Sequence, residues 1–127
     1  MRQIRYISHH TGIPTCDVRK NERYSPTFKM YTTKGDNCHR IQWHRFLPDC
    51  PLHPLIQRVP HVAFKVDSLE KAIEGKKLLL APYSPFEGFK VAMVEIDGAP
   101  VEYLETDLSE SQIWDGDQKN SKLYPCP

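Results

Sequence analysis

No apolar run in this chain comes near the roughly 20 residues that a membrane-spanning helix needs, so a membrane partner is not expected. The four cysteines, Cys16, Cys38, Cys50 and Cys126, include no Cys-x-x-Cys pair. That removes zinc-finger spacing and makes reduced thiols the expectation. Charge of one sign is nowhere concentrated: 17 Lys and Arg stand against 16 Asp and Glu, with no basic block and no basic stripe interleaved with aromatics. The electrostatic footprint of a nucleic-acid binder is therefore missing, and nucleic acid is not an expected partner. The opening "MRQIRYISHH" lacks the apolar central region of a secretory signal, and a cytoplasmic protein is expected. Room for long helices is also short, because eleven prolines interrupt the chain, several of them in "FLPDCPLHPLIQRVP" (46 to 60).

What the chain does have is period-two alternation within a length of 127 residues that suits one domain with a core. "HVAFKVD" (61 to 67) sets Val62, Phe64 and Val66 against His61, Ala63 and Lys65, with the valine side expected in the core. "SLEKAIEG" follows as a helix of about two turns, with Ser68 at its N-cap, Leu69, Ala72 and Ile73 on one side and Gly75 as its stop. "KKLLLAPYSP" (76 to 85), "FKVAMVEIDG" (89 to 98) and "VEYLET" (101 to 106) are expected strands, the last two joined by the turn signal "DGAP". The second half is thus β-α-β-β-β.

The first half repeats this pattern incompletely. Expected strands are "HTGIPT" (10 to 15), "TFKMYTT" (27 to 33) and "HRIQWHRF" (39 to 46), with "KGDN" as a turn. The polar stretch "CDVRKNERYSP" (16 to 26) is too short for a helix plus a strand, and the cluster "CDVRKNER" that opens it is expected to be a solvated loop. Each half opens on a histidine ahead of an alternating strand and closes on a strand with a central Gln or Glu, which makes a weak internal repeat. Residues 1–108 are expected to form one α+β domain of two modules, about 1–58 and 59–108. Residues 109–127, polar and proline-ended, are expected to be an arm or tail with Trp114 as its apolar anchor.

A duplicated βαβββ unit of this kind, carried best by "PHVAFKVDSLEKAIEG" and "DGAPVEYLE", resembles the vicinal oxygen chelate superfamily. Its members include glyoxalase I, extradiol dioxygenases, methylmalonyl-CoA epimerase, and fosfomycin-resistance and bleomycin-binding proteins. The resemblance implies a curved mixed sheet of paired βαβββ modules, the first one abbreviated, around a cleft. It also implies a divalent metal, zinc, nickel, iron or manganese, held by His10 and Gln42 from the first module and His61 and Glu102 from the second. Gln42 departs from the glutamate most catalytic members carry, and a neutral amide is the weaker ligand. Some glyoxalase-like members nevertheless use glutamine.

On the residues themselves, His44 shares the strand face of Gln42 and is a candidate substitute ligand or acid-base group. His9 is expected on the face opposite His10. Glu102 either faces solvent or lines the cleft, and the cleft is favoured. Glu105 is expected to be solvated. Lys65 and Arg45 are candidates for holding an anionic substrate group, with a surface position as the ordinary alternative. Core candidates are Phe28, Met30, Ile41, Trp43, Val62, Phe64, Val66, Leu69, Ile73, Leu79, Val91, Met93, Val101 and Tyr103.

The function the resemblance implies is a metal-dependent lyase or isomerase acting on a small oxygen-bearing molecule. In that scheme Glu102 or His44 moves the proton. The alternative from another class is a metal-free protein that sequesters a small molecule in the same cleft. A homodimer is expected, since a shortened module leaves apolar sheet uncovered.

Overall fold

The computed structural model describes residues 4–35 and 38–114. Eight strands make one mixed sheet, curled into a half-barrel, with three short helices. The strands are β1 (Tyr6–Pro14), β2 (Glu22–Ser25), β3 (Met30–Thr33), β4 (Ile41–Phe46), β5 (His61–Val66), β6 (Lys77–Phe86), β7 (Phe89–Ile96) and β8 (Ala99–Thr106). The helices are α1 (Pro54–Arg58), α2 (Leu69–Ile73) and α3 (Glu110–Trp114). Strand order is β2-β3-β4-β1-β5-β8-β7-β6. β1 runs parallel to β4 and β5 parallel to β8, while β1 and β5 meet antiparallel at the centre.

The outer face of the second half is packed by α2. Ser68 caps this helix by accepting from the Lys71 N–H, and Gly75 follows it at φ 72°. Leu69 and Ala72 sit with Val66, Ala92, Val94, Val101 and Tyr103 in one apolar cluster. The Glu105 carboxylate, expected in solvent, instead accepts from the Leu69 N–H at 2.8 Å and so satisfies a free donor of the helix N-terminus. The inner face carries a second cluster, Ala63, Phe86, Phe89, Val91, Leu104, Ile113 and Trp114. Each large side chain so buried contributes about 1.5 to 3 kcal/mol.

Uneven cover of the two sheet faces explains where the expected core side of β5 fails. Ala63, placed on the polar side of β5 from sequence, is fully buried inward, whereas Val62, a core candidate, is 44% exposed. β1 begins at Tyr6, earlier than expected, because it pairs with the whole length of β5. β2 starts inside the stretch expected to be loop and runs beyond it. It is an edge strand pinned by the Arg45 guanidinium, which donates to both Glu22 oxygens at 2.9 and 3.0 Å across β3. That pairing, with Tyr31 under the guanidinium at 4.1 Å, occupies Arg45 structurally. α1 escaped the sequence pattern because its proline is at the first turn, the one helical position that tolerates it.

The chain after 108 continues the domain for six residues. A reciprocal capping box, Ser109 N–H to Gln112 Oε1 at 2.8 Å and Gln112 N–H to Ser109 Oγ at 3.2 Å, starts α3 and turns Ile113 and Trp114 into the inner cluster. The rest of the expected tail, 115–127, lies outside the described residues, as do 36 and 37 of the "KGDN" turn. The Asp97–Gly98 turn between β7 and β8 has φ 50° and 82°, the signature of a tight two-residue hairpin.

Candidate metal centre

The central strands bring three sequence-distant groups together by register. Ala63 on β5 is the Cα partner of His10 on β1 and of Glu102 on β8. Its small side chain, 1% exposed, leaves space above it in which the two larger neighbours meet. His61, two residues earlier on the same face, lies opposite Gly12. A β-carbon there would stand 2.1 Å from His61 Cε1, so glycine is what lets the imidazole lie against β1.

His10 Nε2 is 3.2 Å from Glu102 Oε2, and His61 Nε2 is 3.5 Å from Glu102 Oε1. One ligand atom from each of the three lies within 4.8 Å of the others. The His44 ring stacks on His61 with centroids 5.4 Å apart, and its Nδ1 is 2.9 Å from Thr32 Oγ1. The Nε2 atoms of His44 and His61 are both buried without a hydrogen bond. His9 Nε2 is a third such nitrogen on the same face, and buried polar atoms left unpaired call for a partner.

Electrostatics favours the neutral ring at His44 and His61 and the ionised carboxylate at Glu102. Burial pushes the His44 pKa down to about 3, helped by His61 and His10, so the ring is neutral. Burial likewise lowers His61. For Glu102 burial alone would raise the pKa, but the surrounding histidines, His10 first, outweigh it and hold the carboxyl at about 2. Imidazole nitrogens and an ionised carboxylate are donors for zinc, iron, nickel or manganese.

These groups open on a cavity of about 150 Å³. Beyond the histidines its lining is largely apolar, including Phe28, Met30, Phe46, Tyr83 and Phe86. Phe28, in the β2–β3 turn, meets Tyr83 of β6 edge to face at 5.6 Å, bringing the two ends of the curled sheet together over the cavity.

The four expected ligands do not share one role. His10, His61 and Glu102 converge. Gln42 lines the cavity, but its amide donates to Thr33 O at 3.4 Å, and its Cγ would lie 2.9 Å from a β-carbon at Gly35. His44, two residues on, presents the buried unpaired nitrogen instead.

His9 is a correction of the expected alternation. The register slips between Ser8 and His10, a β-bulge that turns both histidines to the inner face. Its Nδ1 is 2.8 Å from His10 Nδ1. Trp114 and Glu110 on α3 complete that side, Trp114 stacking on the His9 ring at 5.4 Å. The signals for this part were the His-His doublet in a strand and the Ser-Glu-Ser-Gln capping box.

No protein-family model and no curated protein matches this chain. A crystal structure of a hypothetical protein, BH1468, from Bacillus halodurans C-125 is similar in fold. It superposes with a TM-score of 0.56 at 15% identity, over 85% of this chain and 98% of that one. The likeness concerns architecture alone.

Proposed function

We propose that this protein is a metal-dependent enzyme of the vicinal oxygen chelate type, acting as a lyase or isomerase on a small oxygen-bearing substrate. The strand order supports the paired-module part of this reading. Taken inward from either edge it is the same succession, β2-β3-β4-β1 against β6-β7-β8-β5, with the helix between first and second strands present only in the second half. The single observation that carries the functional part is the convergence of His10, His61 and Glu102 within 4.8 Å beside an imidazole nitrogen with no partner.

When bound by those three side chains, a divalent ion supplies Lewis acidity to adjacent oxygens of a substrate. Two imidazoles and one carboxylate leave open positions, a donor set used with zinc and with ferrous iron. Glu102 brings the negative charge that holds a cation in a partly dry site. His44, its ring held through Nδ1 by Thr32, presents Nε2 to the cavity as the group that takes and returns a substrate proton, the anion left on the substrate offsetting the burial that keeps the ring neutral in the free protein. Phe28 and Tyr83 exclude water from that transfer. Gln42 lines the cavity with its amide nitrogen on Thr33 O and belongs to the surroundings of the ion, not to the three side chains that converge.

A second reading, metal-free sequestration of a small molecule, is favoured by one contact. His10 and Glu102 already satisfy each other at 3.2 Å without any ion. A homodimer belongs to the main proposal, since Tyr6, Ile7 and Val62 on the paired strands β1 and β5 leave apolar area exposed. Sedimentation velocity tests the dimer.

The test of function is turnover by protein loaded separately with zinc, nickel, manganese and anaerobic ferrous iron, on a panel of α-hydroxycarbonyl compounds and vicinal diols. Metal-dependent turnover lost in His44→Ala supports the enzyme. Tight binding of panel compounds by metal-free protein, with no turnover under any metal, supports sequestration.

A further inference from the structure

Resting on the metal centre proposed above, we infer that His9 and Glu110 are positioning residues that fix the tautomer and orientation of His10 as a ligand. The argument follows one proton per ring. If His10 ligates through Nε2, the nitrogen that faces Glu102, its ring proton must sit on Nδ1. That N–H has an acceptor at 2.8 Å, His9 Nδ1. Accepting there puts the proton of His9 on Nε2, which lies 3.0 Å from Glu110 Oε1 but off the line of a hydrogen bond, so the carboxylate acts on the ring by its charge. The His10 Nδ1 to His9 Nδ1 contact thus fixes both tautomers, and the Glu110 carboxylate favours the proton on the His9 nitrogen nearest to it.

The surroundings hold this series in place. Both His9 and His10 are buried, at 9% exposure each, so neither ring has water as a ready substitute partner. The Trp114 ring lies nearly parallel to His9, and its indole N–H donates to the same Glu110 oxygen at 3.1 Å. Arg40 covers the Trp114 ring at 4.6 Å, its own guanidinium donating to Gly35 O. The bulge in β1 brings a second histidine to this face, where it packs on Trp114. Carboxylate support of a ligating imidazole raises its basicity and holds its ring, and its loss costs about 10- to 100-fold in metal affinity.

The experiment is a zinc titration of the full chain against a chromophoric chelator, with thermal melting of each zinc-free variant alongside. His9→Phe keeps a ring against Trp114 but removes the acceptor, and its zinc Kd is expected to rise about 10- to 100-fold. His9→Asn places an amide oxygen near the lost Nδ1 and is expected to recover zinc affinity to within about threefold of wild type. Glu110→Gln is expected to fall between the two. Wild-type affinity in His9→Phe, or equal losses in His9→Phe and His9→Asn, overturns the inference while leaving the metal centre standing. Should His9→Phe melt far below wild type, the comparison of His9→Asn with Glu110→Gln decides, equal losses again being contrary. No zinc uptake by wild type removes the metal centre itself and this inference with it.

Discussion

Gly12 and His61 face each other across β1 and β5 so closely that a β-carbon on Gly12 would stand 2.1 Å from His61 Cε1 and 2.6 Å from its Nε2. The ring has nowhere to retreat, with His44 stacked against it and its side chain only 7% exposed. Gly12→Ala is therefore expected to swing His61 out of the triad. Overpacking of this kind costs about 1 to 3 kcal/mol in stability. Zinc affinity should fall by more than tenfold, and titration beside a urea melt separates the two effects. Unchanged zinc affinity would mean that His61 does not ligate from this position.

His44 tests the division between holding and reacting. It lies outside the group of three that come within 4.8 Å, so His44→Ala should keep zinc affinity within about threefold. Turnover, in contrast, should drop by about 10²- to 10⁴-fold, the range for a lost acid-base group. Zinc affinity and turnover falling together would make His44 a fourth ligand.

Acid should destabilise the metal-free protein through two buried groups acting in the same direction. His44 is held at about 3 against an ordinary 6.5, so as pH falls below 6.5 the unfolded chain takes up a proton that the folded chain refuses. Glu102, held at about 2 against 4.5, contributes stability that is present above 4.5 and lost as pH falls toward 2. Between pH 7 and pH 5 the His44 share alone is about 2 kcal/mol, and the lowered pKa of His61 adds in the same sense. Urea unfolding at the two pH values measures the loss. His44→Phe should lose less than wild type over that interval, and an equal loss would contradict the buried, neutral state of His44.

Trp114 anchors α3 in the inner cluster while facing His9 and His10. Trp114→Ala is expected to cost about 3 to 5 kcal/mol, as for other buried aromatic truncations. Denaturant unfolding gives the number. A loss under 1 kcal/mol would mean that α3 is not docked as described.

Much of this was legible before the structure, and the misses have definite physical causes. The strands over 61–66, 89–96 and 99–106 and the Ser68-capped helix follow from alternation and capping, but alternation left open which face looks into the cavity that His61 and Glu102 line. His10 was legible as the partner of His61 in the weak repeat. His9 was not, because a bulge breaks the very period that assigns faces. Val62 and Ala63 exchanged roles because the inner face of β5 is packed while its outer face is left open at Val62, so a valine is no guide to the inside. β2 is polar because it is an edge strand, and polar edges resemble loops in sequence. α3 is too short for helical periodicity to register, and only its capping box marked it.

The most direct test is the metal content of untagged protein by elemental analysis, compared with the double substitution His61→Ala and Glu102→Ala. The metal centre predicts close to one equivalent of zinc, nickel, manganese or iron in the wild type, absent from the double variant. The contrary result is no metal in either, including after incubation with each of those four ions and with iron supplied anaerobically as the ferrous ion. In that case the histidines and Glu102 would be the polar lining of a binding cleft.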